Sequence, residues 1–513
     1  MARLSKLPIG IQTFSEIREE GYAYVDKTPL IHRLVSEGKY YFLSRPRRFG
    51  KSLLVSTLQA LFEGRRKLFE GLDVEDKWDW DVTYPVIKLS FGGVARNLDD
   101  MHRMIGGIMR SNQELLGIEC SDPEHGGVCL KEMIERVQKK YQQKVVILVD
   151  EYDKLIVDNL DQPEVAKQGR EVLKDIYSII KDSDASIKFA FLTGVSKFSK
   201  VSIFSGLNNL KDITLDRRYA TLCGYTEEDL DRVFSAHLAG VDRSKIRLWY
   251  NGYNFLGEKV YNPFDILLFI DSGHQFKNYW FATGTPTFLI KLIQQHNYYT
   301  PQLDNLSVSE SLIDSYDIDT LQLEPILFQT GYLTIKDIQQ TDFGVEYTLG
   351  VPNREVAISF NDVIITYLTG INNVLPVKNP LLASLKQQNM DAFEQTVKSL
   401  FAAIPYSNYV NNTISSYEGY YASVIYAYLA SLGLDITAED ITSKGRIDLS
   451  IRLPDVIYIL EFKVDGAGDA LKQIKERNYQ QKYQTQGKKI ILLGIDFDSG
   501  SRNISGFAWE EGA

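Results

Sequence analysis

Cysteine is scarce. Cys120, Cys129 and Cys223 are the only three in 513 residues, too few for a disulfide framework, so the expectation is a reducing, cytoplasmic setting. Long hydrophobic runs are missing too. The longest uncharged, largely apolar stretch, Gly419 to Leu434, is shorter than the roughly 20 residues that cross a bilayer. The opening Met1-Ala2-Arg3-Leu4-Ser5-Lys6-Leu7 has no signal-like apolar core. Neither secretion nor membrane spanning is expected. Basic charge is in short supply: 57 Lys and Arg against 67 Asp and Glu leave a net −10. That excludes a blanket nucleic-acid coat but leaves room for a local basic groove. Internal repeats, low-complexity tracts and long linkers are absent.

What remains is ordinary globular material, 44% hydrophobic and 24% charged, which rules out disorder as the main state. At roughly 150 residues per domain the length suggests about three domains. Short apolar runs at Tyr40–Ser44, Pro85–Phe91, Val145–Val149 and Lys188–Thr193 alternate with helical spacing, the rhythm of a parallel sheet covered by helices. Thr226-Glu227-Glu228-Asp229 reads as a capping-box helix start. Further on, Ile326–Ile335 reads as a helix end running into a strand, with Val345–Leu349 as its return, the order of a winged helix and of many small α+β modules.

Ser44-Arg45-Pro46-Arg47-Arg48-Phe49-Gly50-Lys51-Ser52 lies between the first strand and a good helix from Leu53. That is the P-loop order. Backbone N–H groups of Arg47, Arg48, Phe49, Gly50, Lys51, Ser52 and Leu53 would cradle phosphate, with Lys51 neutralising the β and γ groups and the Ser52 hydroxyl on Mg²⁺. Arg45 stands where the usual motif has its first glycine. The run Val145–Val149 ends in Asp150-Glu151, paired acids at a strand's carboxyl end, as in a Walker B element. Asp150 would hold Mg²⁺ and Glu151 would polarise the attacking water. Thr193, ending a further strand, is a candidate γ-phosphate sensor.

Gly445–Leu453 alternates with period two, placing Asp448, Ser450 and Arg452 on a polar face. Pro454-Asp455 is a turn signal and Val456–Lys463 a return strand carrying Glu461 and Lys463. A two-residue loop sets Asp448 directly opposite Glu461, with Cβ atoms about 4.5–5.5 Å apart. Facing carboxylates call for a cation, Mg²⁺ or Mn²⁺, that activates water at a phosphodiester, with Lys463 orienting or deprotonating it. The competing reading is an exposed hairpin with a surface Glu–Lys pair. Ten basic and six acidic residues between Thr442 and Lys489 leave a modest basic footprint. Cys120, His125 and Cys129 lack a fourth ligand for zinc. Tyr420, Tyr421, Tyr426 and Tyr428 read as core or rim, and Trp249–Tyr253 as packing rather than a base-stacking platform.

Leu7-Pro8-Ile9-Gly10, Tyr24-Val25-Asp26-Lys27-Thr28, Arg45–Ser52, Asp150-Glu151-Tyr152-Asp153-Lys154, Thr193-Gly194-Val195-Ser196-Lys197-Phe198 and Asn251-Gly252-Tyr253 together resemble the bacterial AAA-ATPase-like family, in which Arg45 belongs to the loop's own form. The end of the chain is similar to the PD-(D/E)XK nuclease domain commonly fused to it. There Asp448 matches the acidic position, Glu461-Phe462-Lys463 the E-x-K, Glu418 the acid on the first helix and Gln473 the later helix. The resemblance spans roughly residues 5–285 and 390–500. It implies an α/β chain with a P-loop NTPase parallel sheet at 1–225 and a restriction-endonuclease-like α/β domain at 386–513; the residue pattern between them reads as a helical lid at 226–305 and, at 306–385, as a winged helix or another small α+β module. The resemblance further implies ATP as ligand and nucleic acid as partner, with DNA favoured over RNA but the choice left open along with a homo-oligomer. The alternative is a signalling or regulatory ATPase whose nuclease fold is silent and only binds.

Overall fold

The computed structural model describes all residues except 1–3, 198–208, 281–302, 304, 315–321, 343, 406–417, 467–468 and 513. The chain divides into two compact units, Met1–Gly284 with Val308–Tyr347, and Thr285–Ser307 with Thr348–Ala513. Among the described residues no helix is long and apolar enough to cross a membrane.

In the first unit β1 (Tyr40–Ser44), β2 (Val86–Ser90), β3 (Val145–Asp150), β4 (Ile187–Gly194) and β5 (Lys211–Asp212) form a five-stranded sheet in the order β2-β3-β4-β1-β5. Every pairing is parallel. All of β1 and β3 is buried, as expected where helices cover both faces. Strand β4 lies between β1 and β3, so the loop after β1 and the acids after β3 emerge at the same carboxyl edge, two strands apart. Strand β2 is an edge whose middle rung is closed by a side chain: Asn112 accepts from the Lys88 N–H at 3.0 Å and donates to the Lys88 carbonyl at 2.8 Å.

The turn between helices Leu98–Leu116 and Gly126–Tyr141 corrects the cysteine expectation. It brings the Cα atoms of Cys120 and Cys129 to 5.3 Å, and the two are joined by a disulfide. Cys223 stays a buried thiol, with its pKa pushed up by burial.

Thr226 and Asp229 form the capping box at the start of helix Glu227–Phe234. That helix, with Arg243–Tyr250 and Pro263–Asp271, builds an apolar cluster of Leu230, Phe234, Tyr250 and Phe269 on which Ala23 and Val25 also pack. A short ribbon, β6 (Asn251–Tyr253) with β7 (Val260–Tyr261), lies between the last two helices. Tyr250 and Tyr253 are buried, which fits the packing role. Helix Leu323–Thr330 ends at Gly331, φ 93°, and leads into β9 (Thr334–Thr341) and its return β10 (Gly344–Gly350), which pairs with β8 (Leu306–Ser309). Helix then hairpin is the order the sequence suggests.

The second unit carries β11 (Asp435–Thr442), β12 (Gly445–Arg452), β13 (Val456–Val464), β14 (Lys489–Asp498) and β15 (Asn503–Gly512) in sequential order. Only β13–β14 is parallel, because helix Asp469–Arg477 makes the crossover. The four tyrosines of helix Glu418–Ala430 are buried, as core.

Candidate active sites

The loop after β1 is shaped by residues that point away from it. Arg45 is 0% exposed. Its guanidinium donates to the carbonyls of Ser44 and Thr214 at 2.8 Å each and of Tyr219 at 3.3 Å, and it lies 3.8 Å from the centroid of Phe255. Burial lowers its pKa to about 10. A glycine here would anchor nothing, which is the physical content of the departure from the usual motif. Phe49 is 1% exposed and packs edge-on against Tyr253 and Phe255. The Arg48 guanidinium sits 4.8 Å over the Phe264 ring. Arg47 is exposed, 3.8 Å from Asp158. Arg45 and Phe49 are therefore scaffolding, while Arg47 and Arg48 stay exposed.

Gly50 has φ 89° and caps helix Lys51–Phe62, a left-handed conformation that glycine takes without cost. Lys51 is buried and donates to the carbonyls of Arg45 and Pro46 at 2.9 Å each. Burial lowers its pKa. Leu53 follows on the same helix. Ser52 and the buried Asp150 line one polar cavity of about 250 Å³. A hydroxyl and a carboxylate on one wall are hard oxygen donors of the kind Mg²⁺ takes.

At the end of β3, Asp150 Oδ1 accepts from the Glu151 N–H at 3.1 Å. Glu151 adopts φ 53°, a left-handed backbone that costs a non-glycine residue about 1–2 kcal/mol. Its carboxyl pKa is raised by burial, and Lys154 stands 3.9 Å away. The buried Thr193 hydroxyl, the candidate γ-phosphate sensor, donates to the Leu43 carbonyl at 2.9 Å within the sheet. Asp153 gained no role from the sequence, yet it ties the two strand ends together. Its carboxylate accepts from the N–H groups of Val195 at 3.1 Å and Ser196 at 2.6 Å, and burial raises its pKa. Its signal was its place in Asp150-Glu151-Tyr152-Asp153. Phe198 of the neighbouring segment lies outside the described residues.

On the β12–β13 hairpin the pairs run from Leu449↔Leu460 to Arg452↔Ile457, and the Leu453 N–H bonds the Val456 carbonyl at 2.9 Å across Pro454-Asp455. The ladder stops at Leu449↔Leu460, one rung short of the expected Asp448–Glu461 pair. Asp448 Oδ2 accepts from the Phe462 N–H at 2.8 Å. Glu461 is 1% exposed, which overturns the surface-pair reading. Gln473 donates to Glu461 Oε1, and Lys463 Nζ stands 4.0 Å from the same oxygen.

Gly494 makes this meeting possible. It pairs with Glu461 across the parallel ladder, and a Cβ there would stand 2.2 Å from the Leu471 nitrogen. Helix Asp469–Arg477 thus lies directly on the β14 backbone, bringing Gln473 to Glu461. Asp496, also missed, is buried and pairs in register with Lys463. The polar face of β12 is not solvated: Ser450 is buried, donating to Asp440 at 3.0 Å and accepting from Tyr483 at 3.0 Å. Glu418 begins helix Glu418–Ala430, and its side chain lies outside the described residues. No group of three or more His, Cys, Asp or Glu is arranged as a metal cluster among the described residues. The residues here that could hold a cation are Asp448 and Glu461, hard carboxylates of the kind Mg²⁺ or Mn²⁺ takes.

A family of predicted AAA-ATPases matches residues 8–204, and the PD-(D/E)XK nuclease superfamily matches residues 416–507. An "Uncharacterized protein in vnfD 5'region" of Azotobacter chroococcum mcd 1 is 47% identical over 511 residues, covering 98% of this chain and 99% of that protein. The chain belongs to this family of AAA-ATPase-like proteins with a PD-(D/E)XK nuclease-superfamily domain. No solved structure matches it. The loop Arg45–Leu53 and the acids Asp150 to Asp153 fall inside the AAA-ATPase-like match. Asp448, Glu461, Lys463 and Gln473 fall inside the nuclease-superfamily match.

Proposed function

We propose that the chain hydrolyses ATP on the Arg45–Leu53 loop and cleaves nucleic acid, DNA rather than RNA, at the β12–β13 hairpin, with nucleotide state altering the cleavage rate. The observation that carries the reading is Glu461. A carboxylate 1% exposed, held by an amide and a lysine, is expensive to bury unless a cation belongs there.

At the loop, backbone N–H groups at the start of helix Lys51–Phe62 orient the phosphates, and Lys51 exchanges its carbonyl partners for phosphate oxygens. Glu151 orients the water and accepts its proton as the water oxygen bonds to the γ phosphorus. The bond to the bridging oxygen breaks, and its electron pair stays on ADP. Ser52 and Asp150 would hold Mg²⁺, which neutralises phosphate charge. At the hairpin, Asp448 and Glu461 would hold Mg²⁺ or Mn²⁺, which lowers the pKa of water and offsets phosphodiester charge. Lys463 orients that water, and Gln473 fixes the Glu461 carboxylate.

A nucleic-acid-binding domain without cleavage is the second reading. The Gln473–Glu461 hydrogen bond favours it, since it engages one of the metal-facing oxygens. Incubating the purified protein with single- and double-stranded DNA and RNA, with and without Mg²⁺ or Mn²⁺ and ATP, separates the two. Metal-dependent cleavage of DNA is expected; nucleic-acid binding with no cleavage under any combination decides for the second reading.

A further inference from the structure

The first unit holds a polar space that the proposed hydrolysis does not use. The cavity lined by Ser52 and Asp150 also meets Gln59, Glu63, Arg65, Lys88 and Ser90. Those five line a second cavity of about 640 Å³ that follows β2 outward to Leu115 and Tyr141. The two abut along that shared wall. The sheet explains the wall: period two puts Lys88 and Ser90 on alternate rungs of the edge strand, and the register pairs Ser90 with Asp150. The space does not suit an added strand, because Asn112 already occupies both backbone groups of Lys88. It suits a small ligand.

The charges define that ligand. Arg65 pairs with Glu63 at 2.6 Å, so these two largely cancel. Asp150 lies at the inner end, assigned to the metal. Lys88 remains: this half-buried residue, at the wall common to both cavities, makes no side-chain hydrogen bond or ion pair with any described residue. An ammonium whose neighbouring acids are engaged elsewhere is a receptor for a small anion. The same cavity is lined by neutral donors suited to phosphate oxygens, the Ser52 and Ser90 hydroxyls, while the Gln59 amide is engaged by Glu63 at 2.8 Å.

We propose that Lys88 is a holding site for inorganic phosphate, which leaves the Ser52–Asp150 end of the nucleotide site along β2 and pauses on Lys88 before reaching solvent. The inference rests on the ATP-hydrolysis reading, which supplies the ligand: orthophosphate is the fragment left when water takes the γ phosphorus from ADP. Lys88 takes no part in that bond exchange.

The test uses the full chain and inorganic phosphate itself. Phosphate binding is followed by ³¹P line broadening, and product inhibition of ATP turnover is measured in parallel, for wild type, Lys88→Gln and Lys88→Arg. Lys88→Gln is expected to weaken phosphate binding and phosphate inhibition about tenfold, a typical loss for one charge-assisted contact. Lys88→Arg restores both, and ATP affinity is unchanged throughout. Equal phosphate binding by wild type and Lys88→Gln overturns the site while leaving hydrolysis standing. Lys88-dependent phosphate binding in a protein that does not turn over ATP keeps the site and removes the hydrolysis reading instead.

Discussion

In the Arg45–Leu53 loop the side chains mostly turn away: Arg45 into backbone carbonyls, Phe49 into Tyr253 and Phe255, Arg48 onto Phe264. In the proposed site, what meets the ligand is backbone, Lys51, Ser52 and the acids after β3. On the β12–β13 hairpin the arrangement is reversed. The backbone there is a ladder, and the proposed chemistry falls to the side chains of Asp448, Glu461, Lys463 and Gln473. A site built from backbone announces itself in sequence by the residues that brace it. A site built from side chains on a regular ladder announces itself only by spacing.

That contrast breaks most sharply at Lys51, the loop side chain proposed to meet the phosphates. Lys51→Ala is expected to weaken ATP binding at least about a hundredfold, since it removes the charge-assisted contact to the phosphates; titration with a fluorescent ATP analogue measures it. Glu151→Gln should keep that binding and lower turnover about a hundredfold, the usual worth of a positioned base. Wild-type turnover in Glu151→Gln would return the acid to a structural role. Arg45→Gly, which restores the glycine of the usual loop, sharpens the contrast: it should destabilise the first unit by about 2–4 kcal/mol, because three carbonyls and the Phe255 face lose their partner. A higher melting temperature would mean that Arg45 braces nothing.

The smallest effect is expected at Glu227, which binds Arg243, Arg247 and the Tyr261 hydroxyl. Burial pushes its pKa up, but those partners outweigh it and hold the carboxyl below its usual value. A depressed folded-state pKa stabilises above the unfolded value near 4.5 and is lost as pH falls through the folded one. Glu227→Gln should therefore cost about 1 kcal/mol at pH 7. The gap to wild type, read by thermal melts, should close as the pH falls below the carboxylate range. A gap that widened in acid would contradict the sign.

Much of this was legible in advance where burial on both faces makes strands continuous apolar runs, as at Tyr40–Ser44 and Val145–Asp150. Pro454-Asp455 marked the hairpin turn but left the register free to slip; the structure settles it at Leu449↔Leu460 through Arg452↔Ile457. Strands β11 and β15 were not, since Asp435–Thr442 and Asn503–Gly512 are polar edge strands whose exposed rungs blur the alternation. At Thr193 sequence gives a strand end but not its rotamer. Asp153, Gly494 and Asp496 act through contacts distant in sequence, a close helix approach above all, and spacing cannot show those. The disulfide depended on the path of one turn.

The most direct measurement is cleavage of labelled duplex DNA under Mg²⁺ or Mn²⁺ titration by wild type, Asp448→Asn and Glu461→Gln, beside an ATPase control without nucleic acid. Wild type should cleave only with divalent ion. Either amide should weaken metal binding and reduce cleavage by at least about a hundredfold, with ATP turnover nearly intact because the nucleotide site uses none of these residues. Cleavage unchanged in both variants would contradict the account.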